Sequence, residues 1–115
     1  MRARLFFILS VALSASAVVL AQTRTFEKFQ VTDTEVGIAS ATLQPSGQIP
    51  VAKCEGRLET ASVRYRFDLG TVGSTTGLLL EVGDVLAIDD PVSAANLRMV
   101  KTGSTTAVFQ VSCWR

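Results

Sequence analysis

The chain has 115 residues, 11 basic and 10 acidic side chains, and no histidine. A formal charge of +1 gives no electrostatic case for nucleic acid or an anionic membrane. The missing imidazole excludes Ser-His-Asp and Cys-His nucleophile pairs and the usual histidine-containing zinc sites.

The chain opens MRARLFFILSVALSASAVVLAQ. Arg2 and Arg4 form a basic start, Leu5 to Leu20 is apolar with scattered serines, and Val19 and Ala21 are small residues suited to a signal peptidase. Residues 1–21 are therefore expected to be a secretory signal peptide cut before Gln22. The apolar run is shorter than the roughly 20 residues of a spanning helix, and no later segment is apolar enough to span. Cleavage removes two arginines and no acid, so residues 22–115 carry a formal charge of about −1. Their length suits one small domain, expected outside the cytoplasm, secreted or periplasmic.

In chain order, strands are expected near Phe26–Val31 and Val36–Leu43. Next comes a row in which Ala52, Cys54 and Leu58 point together and Lys53, Glu55 and Arg57 point opposite. SVRYRFD alternates cleanly: Val63, Tyr65 and Phe67 face a core, while Ser62, Arg64, Arg66 and Asp68 face out. Strands follow near Leu78–Val82, Val85–Ile88 and Leu97–Lys101, with a single helical turn around Pro91 and Ala94–Asn96. The last strand puts Ala107, Phe109, Val111 and Cys113 on one side and Thr106, Val108, Gln110 and Ser112 on the other. PSGQIP, DLGTVGST, VGDV, DDPVSAAN and KTGS separate them as turns. Many short strands at this spacing predict an all-β fold, a single antiparallel β-sandwich of about seven or eight strands over 22–115.

Cys54 and Cys113 are the only cysteines. An even count in an exported chain reads as one disulfide, and both sulfurs fall on core-facing sides of strands. Two buried free thiols are the alternative. GSTT occurs at Gly73–Thr76 and Gly103–Thr106, each followed by apolar residues. The flanking sequences do not align, so both copies read as turns leading into strands, with the glycine permitting a tight turn.

Candidate chemistry is sparse. Glu55, Glu59 and Asp68, or Asp84, Asp89 and Asp90, are the carboxylates available for acid–base work, and the last three are also the candidates for calcium. Their spacing matches no calcium loop, and turn roles suit them better. No enzyme activity and no cofactor or metal is expected. Arg64 and Arg66 on one charged strand face, and Trp114 opposite Cys113, are the candidate interaction residues. The partner and the oligomeric state are not specified by the sequence.

Glu55, Gly56, Val63, Arg64, Tyr65, Arg66, Asp68, Gly70, Gly77, Gly83, Asp84, Leu97 and Arg98 together resemble a pattern in small bacteriophage and prophage proteins. There a strand of the form EG…VRYR.D.G precedes a turn, an apolar strand ending in GD, a V.L.I strand and an LR segment. The resemblance implies a virion-associated accessory domain with a structural, non-catalytic role. The signal and the cysteine pair are additions to that pattern. A second resemblance is to secreted fimbrial subunits, through the signal, the cysteine pair, the alternating final strand and the penultimate aromatic Trp114. It implies assembly by strand exchange.

Overall fold

The computed structural model describes residues 24–45 and 49–115. The expected signal peptide and its cleavage point lie outside the described residues. Among these residues seven strands form two antiparallel sheets. They are β1 (Arg24–Val31), β2 (Lys53–Glu59), β3 (Val63–Arg66), β4 (Leu78–Leu80), β5 (Val85–Ile88), β6 (Arg98–Lys101) and β7 (Ala107–Trp114). The larger sheet has the order β1-β7-β2-β5 and the smaller one β4-β3-β6.

Alternation decides which side of each strand is buried. Along β7 the inner row is Ala107, Phe109, Val111 and Cys113, all fully buried, and the outer row is only partly covered. Along β2 the inner row is Cys54, Gly56 and Leu58. Ala52 does not join it; the residue is exposed, and Val51 takes the core position just before the strand. These rows meet Val63, Leu80, Leu97 and Met99 from the other layer in one core cluster. Such two-sheet packing is the usual solution for strands apolar on one face.

Cys54 and Cys113 are bonded, and they lie directly opposite each other in the β2–β7 register with Cα atoms 4.0 Å apart. The bridge therefore ties neighbouring strands within one sheet. Short Cα separations of this kind belong to opposed antiparallel positions that do not exchange backbone hydrogen bonds.

After β1 the chain crosses to the second sheet. The Thr32 carbonyl accepts the Lys101 N–H (2.9 Å), and Val36 and Met99 exchange backbone hydrogen bonds of 3.1 and 2.8 Å. Val36–Leu43 is thus not the strand its sequence suggests. Only Val36 pairs, as an isolated bridge, and Ser40–Leu43 is a short helix, α1. Gly37 lies so close to the Leu97 carbonyl and the Arg98 side chain that a Cβ there would collide with both. The crossing is pressed against the start of β6, and beyond it Ala39 to Leu43 close their own helical turn. A second helix, α2 (Pro91–Asn96), starts at Asp90, whose carboxylate accepts the Ser93 N–H (2.7 Å) and hydroxyl (2.8 Å). Proline at the first helical position needs no hydrogen-bond partner for its nitrogen.

Both GSTT copies are turns that deliver the chain into strands, β4 and β7. In the first, Gly73 and Thr76 bond to each other at 3.0 and 3.3 Å. The left-handed backbone falls on the next residue, Gly77 (φ +124°), rather than on the glycine of the motif.

Candidate ligand-binding face

The three residues singled out in the sequence do not form one surface. Arg64 and Arg66 lie on β3 in the small sheet, whereas Trp114 ends β7 in the large one. Both arginines are engaged locally. Arg64 donates through Nη1 to the Gly77 carbonyl (3.1 Å). Arg66 grips Asp68 with Nε (2.8 Å) and Nη2 (2.6 Å), and donates through Nη1 to the Thr71 carbonyl (3.2 Å). Asp68 also accepts the Gly70 N–H (3.1 Å), and a Cβ on Gly70 would fall on the Arg66 guanidinium. The two side chains thus pin the 67–77 loop against its strand, a fork-shaped use that lysine could not reproduce.

The hydrogen bond from Arg66, helped by the Gly70 N–H, holds the Asp68 carboxyl down to about 2 from its ordinary 3.8. A carboxylate with a lowered folded-state pKa stabilises fully above its unfolded value and loses that contribution as the pH falls through the folded one. The pair is solvent-exposed, so the effect is screened. Asp68→Asn is expected to lower the urea midpoint at neutral pH. The gap to the parent should close between about pH 4 and pH 2. A gap that stays constant down to pH 2 would assign the loss to something other than the ionised carboxylate.

The other carboxylates divide by place. Asp84 accepts the Glu81 N–H (2.9 Å) in the turn before β5, and Asp90 caps α2. Glu59 accepts the Gln110 side-chain amide (2.6 Å) on the outer face of the large sheet. Among the described residues, no group of three or more histidine, cysteine or acidic side chains is arranged to hold a metal ion.

That outer face is where unused chemistry collects. The registers place its side chains in rows across the strands. Arg24, Trp114 and Lys53 form one row. Phe26, Ser112, Glu55 and Ala87 form the next, and Lys28, Gln110, Arg57 and Val85 the third. Small Ser112 stands between larger neighbours, and a furrow of about 550 Å³ lies there, lined by Arg24, Trp114, Phe26, Glu55, Gln110 and Arg57. Phe26 is 63% exposed although it belongs to a strand. Arg24 sits with its guanidinium carbon 5.8 Å from the centre of the Trp114 ring, a cation–π contact. Lys28, Lys53 and Arg57 have no carboxylate at ion-pair distance among the described residues.

Phe26, Lys28, Lys53 and Arg57 were not singled out from the sequence. A signal was present for Phe26. It and Phe29 stand three residues apart, on opposite sides of any strand, so one of the two rings had to face outward. The β1–β7 pairing that sets Arg24 beside Trp114 joins the two ends of the domain and leaves no local trace in the sequence.

No protein-family model, curated protein or solved structure matches the chain.

Proposed function

We propose that the chain is an exported, non-enzymatic interaction module that works through the outer face of its four-stranded sheet; the resemblance to small phage accessory domains supports the non-enzymatic part of this reading. One observation carries this reading. Two aromatic rings and three cations without carboxylate partners share a single exposed face, while Arg64, Arg66, Asp68, Asp84 and Asp90 are engaged in loops and caps. Aromatic rings left in water forgo the free energy that burial would give, and aromatic and arginine side chains are the anchors of binding surfaces. The bridged cysteines, and the lack among the described residues of a helix long and apolar enough to cross a membrane, are compatible with export.

Hydroxyl-radical footprinting tests the reading. The chain in its native setting, on cells or particles, is compared with the purified chain. Phe26 and Trp114 should lose most of their reactivity in the native setting, while exposed Leu69 and Val92, away from the face, should not change. The recovered chain should begin at Gln22. Equal labelling of both rings in the two settings, or a recovered chain that still starts at Met1, would refute the proposal.

A second reading, assembly by strand exchange in the manner of fimbrial subunits, rests on two short edges. β4 and β5 each pair on one side only, and Leu79, Val82 and Val85 are exposed around the corner between them. Edges without charge invite a further strand. Against this, β1 already pairs with β7 of its own chain over eight residues. A folded monomer that persists at high concentration in sedimentation would rule exchange out.

A further inference from the structure

We propose that the furrow on the outer face binds an acidic oligosaccharide, a chain of sugars bearing carboxylates; this rests on the interaction-module reading and names its ligand class. The charge on the face is segregated. Residues from 24 onward hold nine basic and ten acidic side chains. Four of the nine, Arg24, Lys28, Lys53 and Arg57, lie on this one face, against two of the ten acids, Glu55 and Glu59. Glu59 is already taken by Gln110, which leaves Glu55 as the face's one uncommitted carboxylate. A slightly acidic domain therefore carries a basic face.

The layout of the face sets what kind of anion fits. The cations stand in two rows, Arg24 and Lys53 on one side of the furrow and Lys28 and Arg57 on the other. Same-face residues repeat about every 6.8 Å along a strand, so the two rows are about 13 Å apart, room for a single polymer chain between them. Carboxylates projecting to either side of that chain would meet guanidinium or ammonium groups. The floor has a different chemistry. Glu55 offers a strong acceptor and Phe26 flat apolar surface, with the Trp114 ring beside them along the furrow's edge. Sugar hydroxyls donate to a carboxylate, and the C–H faces of sugar rings lie well on aromatic planes.

Glu55 also separates this ligand from other polyanions. A nucleic-acid strand in the furrow would bring its phosphates past an unneutralised carboxylate, which repels them. A lipid surface would press Glu55 and Glu59 against anionic headgroups and bury no continuous apolar patch. An acidic glycan uses Glu55 instead of opposing it.

Trp114 is the chain's one tryptophan and lines the furrow, so its fluorescence reports occupancy directly. The chain as cells produce it is titrated with a hexamer of galacturonic acid, with a neutral galactose hexamer, with a 20-mer of thymidylate, and with phosphatidylglycerol vesicles. The acidic hexamer should give a saturable change that weakens as salt is added. The double substitution Lys28→Ala and Arg57→Ala should weaken it at least tenfold. Lys101→Ala, on the small sheet, should leave it unchanged; circular dichroism confirms that each variant keeps its fold. The proposal is overturned if the acidic hexamer gives no saturable change, if the neutral hexamer binds equally, or if Lys101→Ala weakens binding as much as the double substitution. Tighter binding of thymidylate or of vesicles would equally overturn it and give the face to that ligand instead. Protection of Phe26 and Trp114 in the native setting without binding of the acidic hexamer would leave the interaction module standing and remove only the glycan.

Discussion

Replacing Cys54 and Cys113 together by alanine lowers the unfolding free energy by about 4 kcal/mol, on the loop-entropy account of a disulfide. The bridge joins residues 59 apart, and the loop it closes contains β3, β4, β5, β6 and α2. Without it the unfolded chain gains the freedom of that entire loop, whereas the folded sheet keeps the β2–β7 ladder on either side of the lost bond. A domain of this size has only about 5–15 kcal/mol of stability to begin with. The loss therefore moves the melting temperature by about 20 °C, at roughly 4–8 °C per kcal/mol. Alanine is the right replacement, because both positions are buried and a serine hydroxyl there would need a partner. Urea denaturation supplies two independent readouts. The midpoint should fall, and the slope should rise because the unlinked chain exposes more surface when unfolded. A loss under about 1 kcal/mol with an unchanged slope would mean that the unfolded chain is held compact by something other than the bridge.

That the sulfurs would meet was legible because parity is a strong signal. Cys54 shares its side of β2 with Leu58, and Cys113 shares its side of β7 with Phe109 and Val111; a shift of one residue in either strand would turn a charged or polar row into the core. The same logic recovered β3 and β5. It failed between Val36 and Leu43, where Val36 and Ile38 do alternate with small residues. Alternation reports which side could be buried, not whether a neighbouring strand is available. Here only Val36 finds one, in Met99, and the rest of the segment turns into α1.

The candidate face was less legible for a different reason. Arg64 and Arg66 share one charged strand face, yet their partners are Gly77, Asp68 and Thr71, all within the loop they flank. The Arg66 and Asp68 pair stands two residues apart, on one side of an extended chain, and that spacing was the available hint of a local fork. The furrow is assembled across four strands from β1, β7, β2 and β5. Which cation stands beside which ring depends on register between segments more than 50 residues apart, and single-sequence patterning carries no register of that range.

The inner side of the same sheet holds the position where ordinary expectation should fail most clearly. Gly56 sits in the inner row of β2, opposite Val111, with Phe109 opposite Leu58 one step along the row. The Phe109 ring leans diagonally across the strands and occupies the space where a side chain on Gly56 would begin. It is fully buried and meets Phe29 edge-to-face, with ring centres 5.6 Å apart. A glycine inside a strand is normally a weak point, and alanine there gains roughly 0.5–1 kcal/mol. At Gly56 the sign reverses. Gly56→Ala drives a methyl into the ring and is expected to cost about 1–3 kcal/mol, the usual range for overpacking. Phe109→Ala empties the centre of the core and is expected to cost about 3–5 kcal/mol. The two losses should not add. With the ring gone, the methyl at position 56 partly fills the vacated space, so the double variant should be more stable than the sum predicts by about 1–3 kcal/mol. Equilibrium unfolding of the parent, the two single variants and the double variant measures that coupling. A Gly56→Ala chain as stable as the parent would show that the ring yields without cost, and additive losses would show that the glycine serves the strand for some reason other than making room for Phe109.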